Sequence, residues 1–446
     1  NRYILDLSAR YDGSWKFPKG NRWGFFPSVS LGWRPTEESF MEFYKEKIGD
    51  LKLRASYGIL GSQAIGTYDR FTVYDVYDNS YAYNNKTVSG AGFKLGLENL
   101  TWEKTQTFNI GVDASFLQNS LTVTFDYFHK RTNDILMKPL ISSVFGTEMP
   151  MANIGKMQNQ GWDLSVNYRL KTGAFTHNFN FNLGDSWNKV LEFPGDEQIT
   201  QVEELSRIIR VGVPLNSYYG YKMAGFFQSY DEIEASAIPV GAKVQPGDIK
   251  FVDRNDDGII DSKDKFILGN AFPRYTFGFT YGLNWKGIDF SMFWQGVGKR
   301  DMMLRGELIE PYHANYSYTI YKHQLDFWTP TNTEARWPRL AAPGSDSNRN
   351  NYGNGNGSDL FLLDGKYLRL KNLTIGYTLP KEWTKHLGMQ KARLYINGQN
   401  LLTFSNNSFI DPESSEFDSK MSTSGANSGR SYPTLRYFGF GVDIEF

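Results

Sequence analysis

Hydrophobic and polar residues alternate singly along much of this chain, and the final segment shows the pattern at its cleanest. From Phe438 the even positions are Phe438, Phe440, Val442, Ile444 and Phe446, while Tyr437, Gly439, Gly441, Asp443 and Glu445 fill the odd ones. Successive side chains of a strand point to opposite faces, so this segment predicts one wholly apolar face and one small or charged face. The same period of two recurs at 51–59, where Leu51, Leu53, Ala55, Tyr57 and Ile59 alternate with Lys52, Arg54, Ser56 and Gly58. It recurs again at 107–116, 175–184 and 276–285, and near 3–11, 24–34, 121–131, 161–170, 288–297, 366–379 and 391–403. Counting the terminal segment, the pattern predicts twelve strands.

The connections sort into two kinds. Short ones fall at 117–120, 171–174 and 285–287, with medium ones at 36–50 and 380–390. Long ones fall between them, at 61–100, 132–160, 186–273, 299–364 and 404–433. In an antiparallel meander alternate connections lie at opposite ends, so one end is predicted to be trimmed and the other crowned by loops. Outer-membrane barrels have this asymmetry, with short periplasmic turns and long extracellular loops. Trp23, Trp33, Trp102, Trp162 and Trp285 stand near strand ends, where an interfacial girdle would place them. The predicted fold class is therefore all-β, a transmembrane antiparallel β-barrel, with Phe446 at the periplasmic rim.

Composition agrees. Of 446 residues 40% are hydrophobic, but 16% are aromatic, with 43 Gly, 27 Tyr and 33 Phe, a mix that suits strands and turns. No apolar run approaches the roughly 18–20 residues of a membrane helix, so a spanning chain must form a closed barrel. Lys plus Arg and Asp plus Glu are 48 each, which points to no nucleic-acid partner. The absence of cysteine excludes disulfides, thiolate metal sites and cysteine nucleophiles.

One loop has the spacing of an ion site. Asp253, Asn255, Asp257, Gly258, Ile259, Asp261 and Asp264 match positions 1, 3, 5, 6, 7, 9 and 12 of the twelve-residue calcium loop. Short oxygen-bearing side chains at 1, 3 and 5 can converge on a hard cation, Gly258 permits the sharp turn and Ile259 offers its carbonyl. Asp264 stands where the calcium loop has Glu, which shortens the reach needed for bidentate ligation. The expectation is a structural Ca2+ that pins a long extracellular loop; the competing reading is an Asx-rich turn that bonds its own backbone. Gly353, Gly355 and Gly357 lack the strand-to-helix setting of a nucleotide loop. His129, His177, His313, His323 and His386 show no metalloprotease spacing, and Asp411, Glu413 and Glu416 read as a solvated loop rather than a glycosidase pair. Tyr312, Tyr316, Tyr318, Tyr321 and Trp328 suit either stacking on sugars or packing within their own loop.

With its strands placed, the chain resembles the C-terminal half of the SusC/RagA family of TonB-dependent outer-membrane transporters from Bacteroidetes. The resemblance is carried by ARYDGSWKF (9–17), FPSVSLGW (26–33), LKLRASYGILG (51–61), GYKMAGFFQSYDEI (220–233), GDIKFVDRNDDGIID (247–261), LGNAFPRYTFG (268–278), YLRLKNLTIGYTLP (367–380) and NGQNLLTF (397–404). It implies that residues 1–446 supply strands 11 to 22 of a 22-stranded barrel, the N-terminal plug and first barrel half lying outside this sequence. It further implies an outer-membrane location in contact with lipid, and energy from TonB through that N-terminal region. A SusD-like surface lipoprotein would form a lid, with a dimeric transporter–lid complex as one arrangement, and the cargo would be an oligosaccharide or peptide. No catalytic step is expected. Two other readings of the same strands are a complete twelve-stranded barrel, either a passive porin or a barrel enzyme, and a barrel component of a larger outer-membrane assembly.

Overall fold

Every predicted segment becomes a strand in the computed structural model, which describes residues 2–139, 144, 149–195, 197–202, 205–313, 319–353, 355–386, 388–407, 409–413 and 432–446. The strands are β1 (Tyr3–Gly13), β2 (Trp23–Trp33), β3 (Leu51–Ser62), β4 (Glu103–Phe116), β5 (Leu121–Met137) and β6 (Ala152–Thr172). They continue as β7 (Phe175–Glu192), β8 (Arg274–Trp285), β9 (Ile288–Lys299), β10 (Tyr367–Thr378), β11 (Lys391–Ser405) and β12 (Tyr437–Glu445). They form a twelve-stranded sheet in chain order, and the pairs with described register are antiparallel. The chain divides into two compact units. The first comprises Asn1–Tyr168, Gly184–Gln198 and Ile209–Leu215, the second Arg169–Leu183, Ile199–Ile208 and Asn216–Phe446.

In the first unit, β1 and β2 show why the alternation exists. Register pairs Tyr3 with Trp33, Leu5 with Leu31, Leu7 with Val29 and Tyr11 with Phe25 on one face. Aliphatic residues fill the middle of that face and aromatics close both ends, with Tyr11 stacked on Trp23 at 5.0 Å. These large apolar side chains are exposed (Leu7 is 69% accessible), as a surface solvated by lipid must be. The opposite face carries charge. Arg54 on β3 reaches Asp113 on β4 at 2.8 Å and, across β4, Asp126 on β5 at 2.9 Å. Gly111 leaves that path open: a Cβ there would stand 2.5 Å from the Asp126 carboxylate and 2.6 Å from Arg54 Nη2.

The second unit repeats the device. Arg393 on β11 reaches Asp443 on β12 at 2.9 Å and, across β10, Asp289 on β9 at 2.7 Å. A Cβ on the intervening Gly376 would stand 2.5 Å from Asp289 and 2.7 Å from the guanidinium. A polar lumenal face thus satisfies its charges laterally, strand to strand, because no packed core lies behind it.

The tight turns follow from residues that tolerate positive φ. Lys286 and Gly287 (φ 45° and 87°) join β8 to β9, and Leu117, Gln118 and Asn119 (φ 52°, 56° and 66°) lie between β4 and β5. Several strand ends run farther than the alternation predicts. β5 extends to Met137 and β6 begins at Ala152, so the connection expected at 132–160 is reduced to 138–151. The cause is a bulge between Thr132 and Ile135, with Asp134 at φ 56°, which resets the inward–outward parity within a continuing ladder.

Candidate functional site

The long connections of the second unit are where polar and apolar side chains are buried together. Short pairings start the order: Met223–Phe226 with Ile249–Phe251, and Asp301–Met303 with Leu362–Asp364, the latter prolonging the hairpin direction beyond β9 and β10. Between them Tyr221, Phe251, Ile260, Leu304, Trp337 and Phe361 form a core, with Trp337 2% and Phe361 0% exposed. Apolar burial of this size away from a bilayer is the ordinary hydrophobic stabilisation of a soluble domain.

Buried polar groups tie the loop segments to each other. Asp248 accepts from Gln245 N (2.9 Å), Ser347 Oγ (3.0 Å) and Asn351 Nδ2 (3.1 Å). Asn351 Oδ1 accepts from Ile249 N at 2.8 Å, and Asn348 Nδ2 donates to Glu310 Oε1 at 2.8 Å. The helix Asp346–Tyr352 that carries these side chains is capped by Ser345, which accepts from Asn348 N. Burial pushes the Asp248 carboxyl above its ordinary range in spite of its donors. Burial likewise raises the Tyr352 hydroxyl, which has no hydrogen-bond partner among the described residues, with Glu310 and Asp248 adding to the effect.

A second cluster fixes the segment after β11. Arg369 Nη2 meets Asp411 at 2.6 Å, Nη1 meets Glu413, and Nε donates to Thr403 Oγ1 at 2.9 Å. Lys371 completes it on Glu413 at 2.9 Å, and Asp411 also accepts from Glu413 N (2.9 Å) and Thr434 N (2.8 Å). Burial works to raise the Asp411 carboxyl; Arg369 and the backbone donors prevail and hold it at about 2. This corrects the solvated-loop reading of Asp411 and Glu413, since both carboxylates are buried or nearly so against an arginine of the wall. Glu416 lies outside the described residues. Nearby, His323 stacks on Phe409 at 3.9 Å, bonds Leu308 O through Nε2 at 2.8 Å, and has its pKa lowered by burial.

The ion-loop residues are adjacent but mostly engaged with their own backbone. Asp253 Oδ2 accepts from Gly258 N (2.8 Å), Asp257 from Ile259 N (3.0 Å) and Asp261 from Lys263 N (2.7 Å). Asp264 accepts from Arg254 N (2.9 Å) and Asp261 N (2.8 Å), and Asn255 Nδ2 donates to Asp257. Burial alone would raise the Asp264 carboxyl, but backbone donors from Asp261, Arg254 and Asn255 outweigh it and hold it low. The Oδ1 of Asp253 is the exception, buried with no partner among the described residues. Among the described residues no group of three or more acidic or histidine side chains is placed to hold a metal ion.

Of the aromatic candidates, Trp328 is buried and donates to Gln228 Oε1 at 3.1 Å, so it packs within the loop core. Tyr321 stacks on His323, whereas Tyr316 and Tyr318 lie outside the described residues. Gly355 and Gly357 lend their carbonyls to Lys265 Nζ (2.8 Å) and Tyr221 N (2.9 Å), a structural use of the Gly/Asn run. The alternation could not have found Asp248, Ser347, Asn348 or Arg369, because their partners lie some 40 to 100 residues away.

Comparison with known proteins gives the chain its setting. Residues 1–401 match the family model described as TonB dependent receptor-like, beta-barrel. The TonB-dependent receptor SusC of Bacteroides thetaiotaomicron is 31% identical over 464 residues, covering 100% of this chain and 42% of that protein. A TonB-dependent receptor of Formosa agariphila is 34% identical over 466 residues, covering 100% of this chain and 45% of that protein. The chain thus spans less than half the length of these relatives. The structure of the RagAB peptide transporter superposes on the whole chain with a TM-score of 0.78 at 23% identity, over 46% of the matched chain.

Proposed function

Since the chain belongs to the TonB-dependent receptor-like β-barrel family and is a protein of the bacterial outer membrane, we propose that it forms the C-terminal barrel portion of a nutrient importer. The cargo is an oligosaccharide or oligopeptide, too large for passive diffusion. TonB supplies the energy through a part of the protein outside this chain, and a SusD-like lipoprotein covers the loops. The transport cycle includes no covalent step. The observation that carries the reading is the loop body of the second unit, whose own core and buried Asp248 network present a preformed outer rim. Such a rim suits capture of a bulky ligand beneath a lid, because little ordering cost is left for binding. Likeness to SusC along the whole chain supports the same reading.

The test is uptake of labelled oligosaccharides and oligopeptides by cells that carry the full-length protein, with and without a functional TonB. TonB-dependent uptake of either class, together with copurification of a surface lipoprotein, is the expected result. Steady ion conductance of the purified protein in a planar bilayer, independent of TonB, would favour the passive porin instead.

A second reading concerns the loop at Asp253, Asn255, Asp257, Ile259, Asp261 and Asp264. The buried, unpartnered Oδ1 of Asp253 favours a structural Ca2+ there, since an orphaned carboxylate oxygen is costly to leave unpaired. Calorimetric titration of the full-length protein with Ca2+ should give heat that Asp253→Ala abolishes; equal heats in the two proteins would reject the site.

A further inference from the structure

The short-turn end of the second unit carries a surface that the transport reading leaves unused. The Gly287 carbonyl accepts from Thr378 N at 2.8 Å, which seats the β8–β9 turn beside the end of β10. Just beyond, Pro380 opens the helix Lys381–Lys385, in which Thr384 is buried while Lys381, Trp383 and Lys385 are exposed. Trp383 is 61% accessible. On the neighbouring turn Lys286 Nζ lies 5.9 Å from the centre of the Trp285 ring, which stacks on Phe175 at 5.3 Å. Tyr377, the last outward aromatic of β10, is exposed beside them. Lys286, Lys381 and Lys385 have no ion-pair partner among the described residues, and Glu382 is the acidic group of the segment.

The medium connection of the first unit differs. There Arg34 is paired with Asp50 at 2.7 Å, Lys45 with Glu37 at 2.8 Å, and Arg2 with Glu38 at 3.2 Å. Those three cations are already neutralised, whereas Lys286, Lys381 and Lys385 are without an ion-pair partner among the described residues. An exposed indole gains nothing from bulk water, but at a membrane interface its ring meets the acyl boundary and its N–H the headgroups. Lysines beside it can lay their stems on that boundary and their ammonium groups on phosphate. The rim is also continuous with the lipid-facing side of β8, β9 and β10.

We propose that Lys286, Lys381 and Lys385, with Trp285 and Trp383, form a binding site for the phosphate headgroups of anionic phospholipid in the leaflet that meets the short turns. The site goes beyond the transport reading and stands without it. The test uses the full-length protein in detergent, with phosphatidylglycerol and phosphatidylcholine as probes and native mass spectrometry as readout. Wild type should retain phosphatidylglycerol in preference to phosphatidylcholine. The triple variant K286Q/K381Q/K385Q should lose that preference, on the order of fivefold per lysine and roughly a hundredfold for the three. The corresponding triple arginine variant should keep it, and W383F should reduce quenching of tryptophan fluorescence by brominated phosphatidylglycerol. Retention by the glutamine variant equal to wild type, or no preference in wild type, would overturn the proposal. So would displacement of the lipid by millimolar inorganic phosphate, which would indicate a site for a free anion.

Discussion

The strand wall and the loop body of this protein place the same residue types on opposite sides of a surface. On the strands Phe440 is 87% exposed, and the opposite face carries the ion pairs of Arg54 and Arg393. In the loops Phe361 and Trp337 are buried, and Asp248, Ser347, Asn348, Asn351 and Glu310 nearby bond to one another or to backbone. The difference lies in the solvent. Lipid accepts apolar side chains without a packed core behind them, so the wall needs only alternation and lateral ion pairs. Loops in water must bury their own apolar residues, and leaving unpaired the polar groups taken inside with them is costly, so most are bonded.

If that contrast holds, the loop body should respond to mutation like a soluble core. Trp337→Ala should destabilise it by about 3–5 kcal/mol through lost burial and the cavity left behind. Amide hydrogen exchange should locate the loss in the loops and leave β8 to β11 protected. Arg369→Ala should come next, since removing one partner of a buried ionic cluster costs about 3–5 kcal/mol when the remaining charges stay buried. The readout is protease cleavage in 406–413, and Arg369→Ala combined with Asp411→Asn should cost less than Arg369→Ala alone. A smaller effect is expected from acid. Asp411 is held below its unfolded value, so its stabilising contribution is present above about pH 4 and is lost as pH falls through about 2. Protection of 409–413 should fade over that window in wild type and show no such step in Asp411→Asn. The smallest is Gly376→Ala, where a methyl group set 2.5 Å from Asp289 and 2.7 Å from the Arg393 guanidinium must push that bridge aside; about 1–2 kcal/mol is expected.

The contrast also explains what was legible in the sequence. Each strand of the wall could be read because its apolar residues recur every second position, and Leu51 to Ile59 or Phe438 to Phe446 needs no distant partner to be recognised. Strand ends were less legible where a bulge breaks parity, as at Asp134. The loop body has no period to read. Asp248 and Asn351 are 103 residues apart, and Arg369 and Asp411 are 42 apart, so their pairing exists only in the folded chain. Asp411 and Glu413 therefore read as solvated when they are instead held by an arginine of the wall. The spacing from Asp253 to Asp264 was legible as a turn with ligand-type residues, and the structure adds the self-bonded backbone and the orphaned oxygen.

The two sides of the wall can be separated at one pair of neighbouring residues. Leu7 lies midway between the Tyr3–Trp33 and Tyr11–Phe25 aromatic pairs on the lipid-facing side of β1, and Ser8 points to the opposite side. Denaturant titration of the full-length protein folded into liposomes should show Leu7→Arg destabilised by about 2–4 kcal/mol, as for a cation at the bilayer midplane. Ser8→Arg should fall within about 0.5 kcal/mol of wild type. Equal effects at the two positions, or a larger loss at Ser8, would contradict the assignment of that apolar face to lipid.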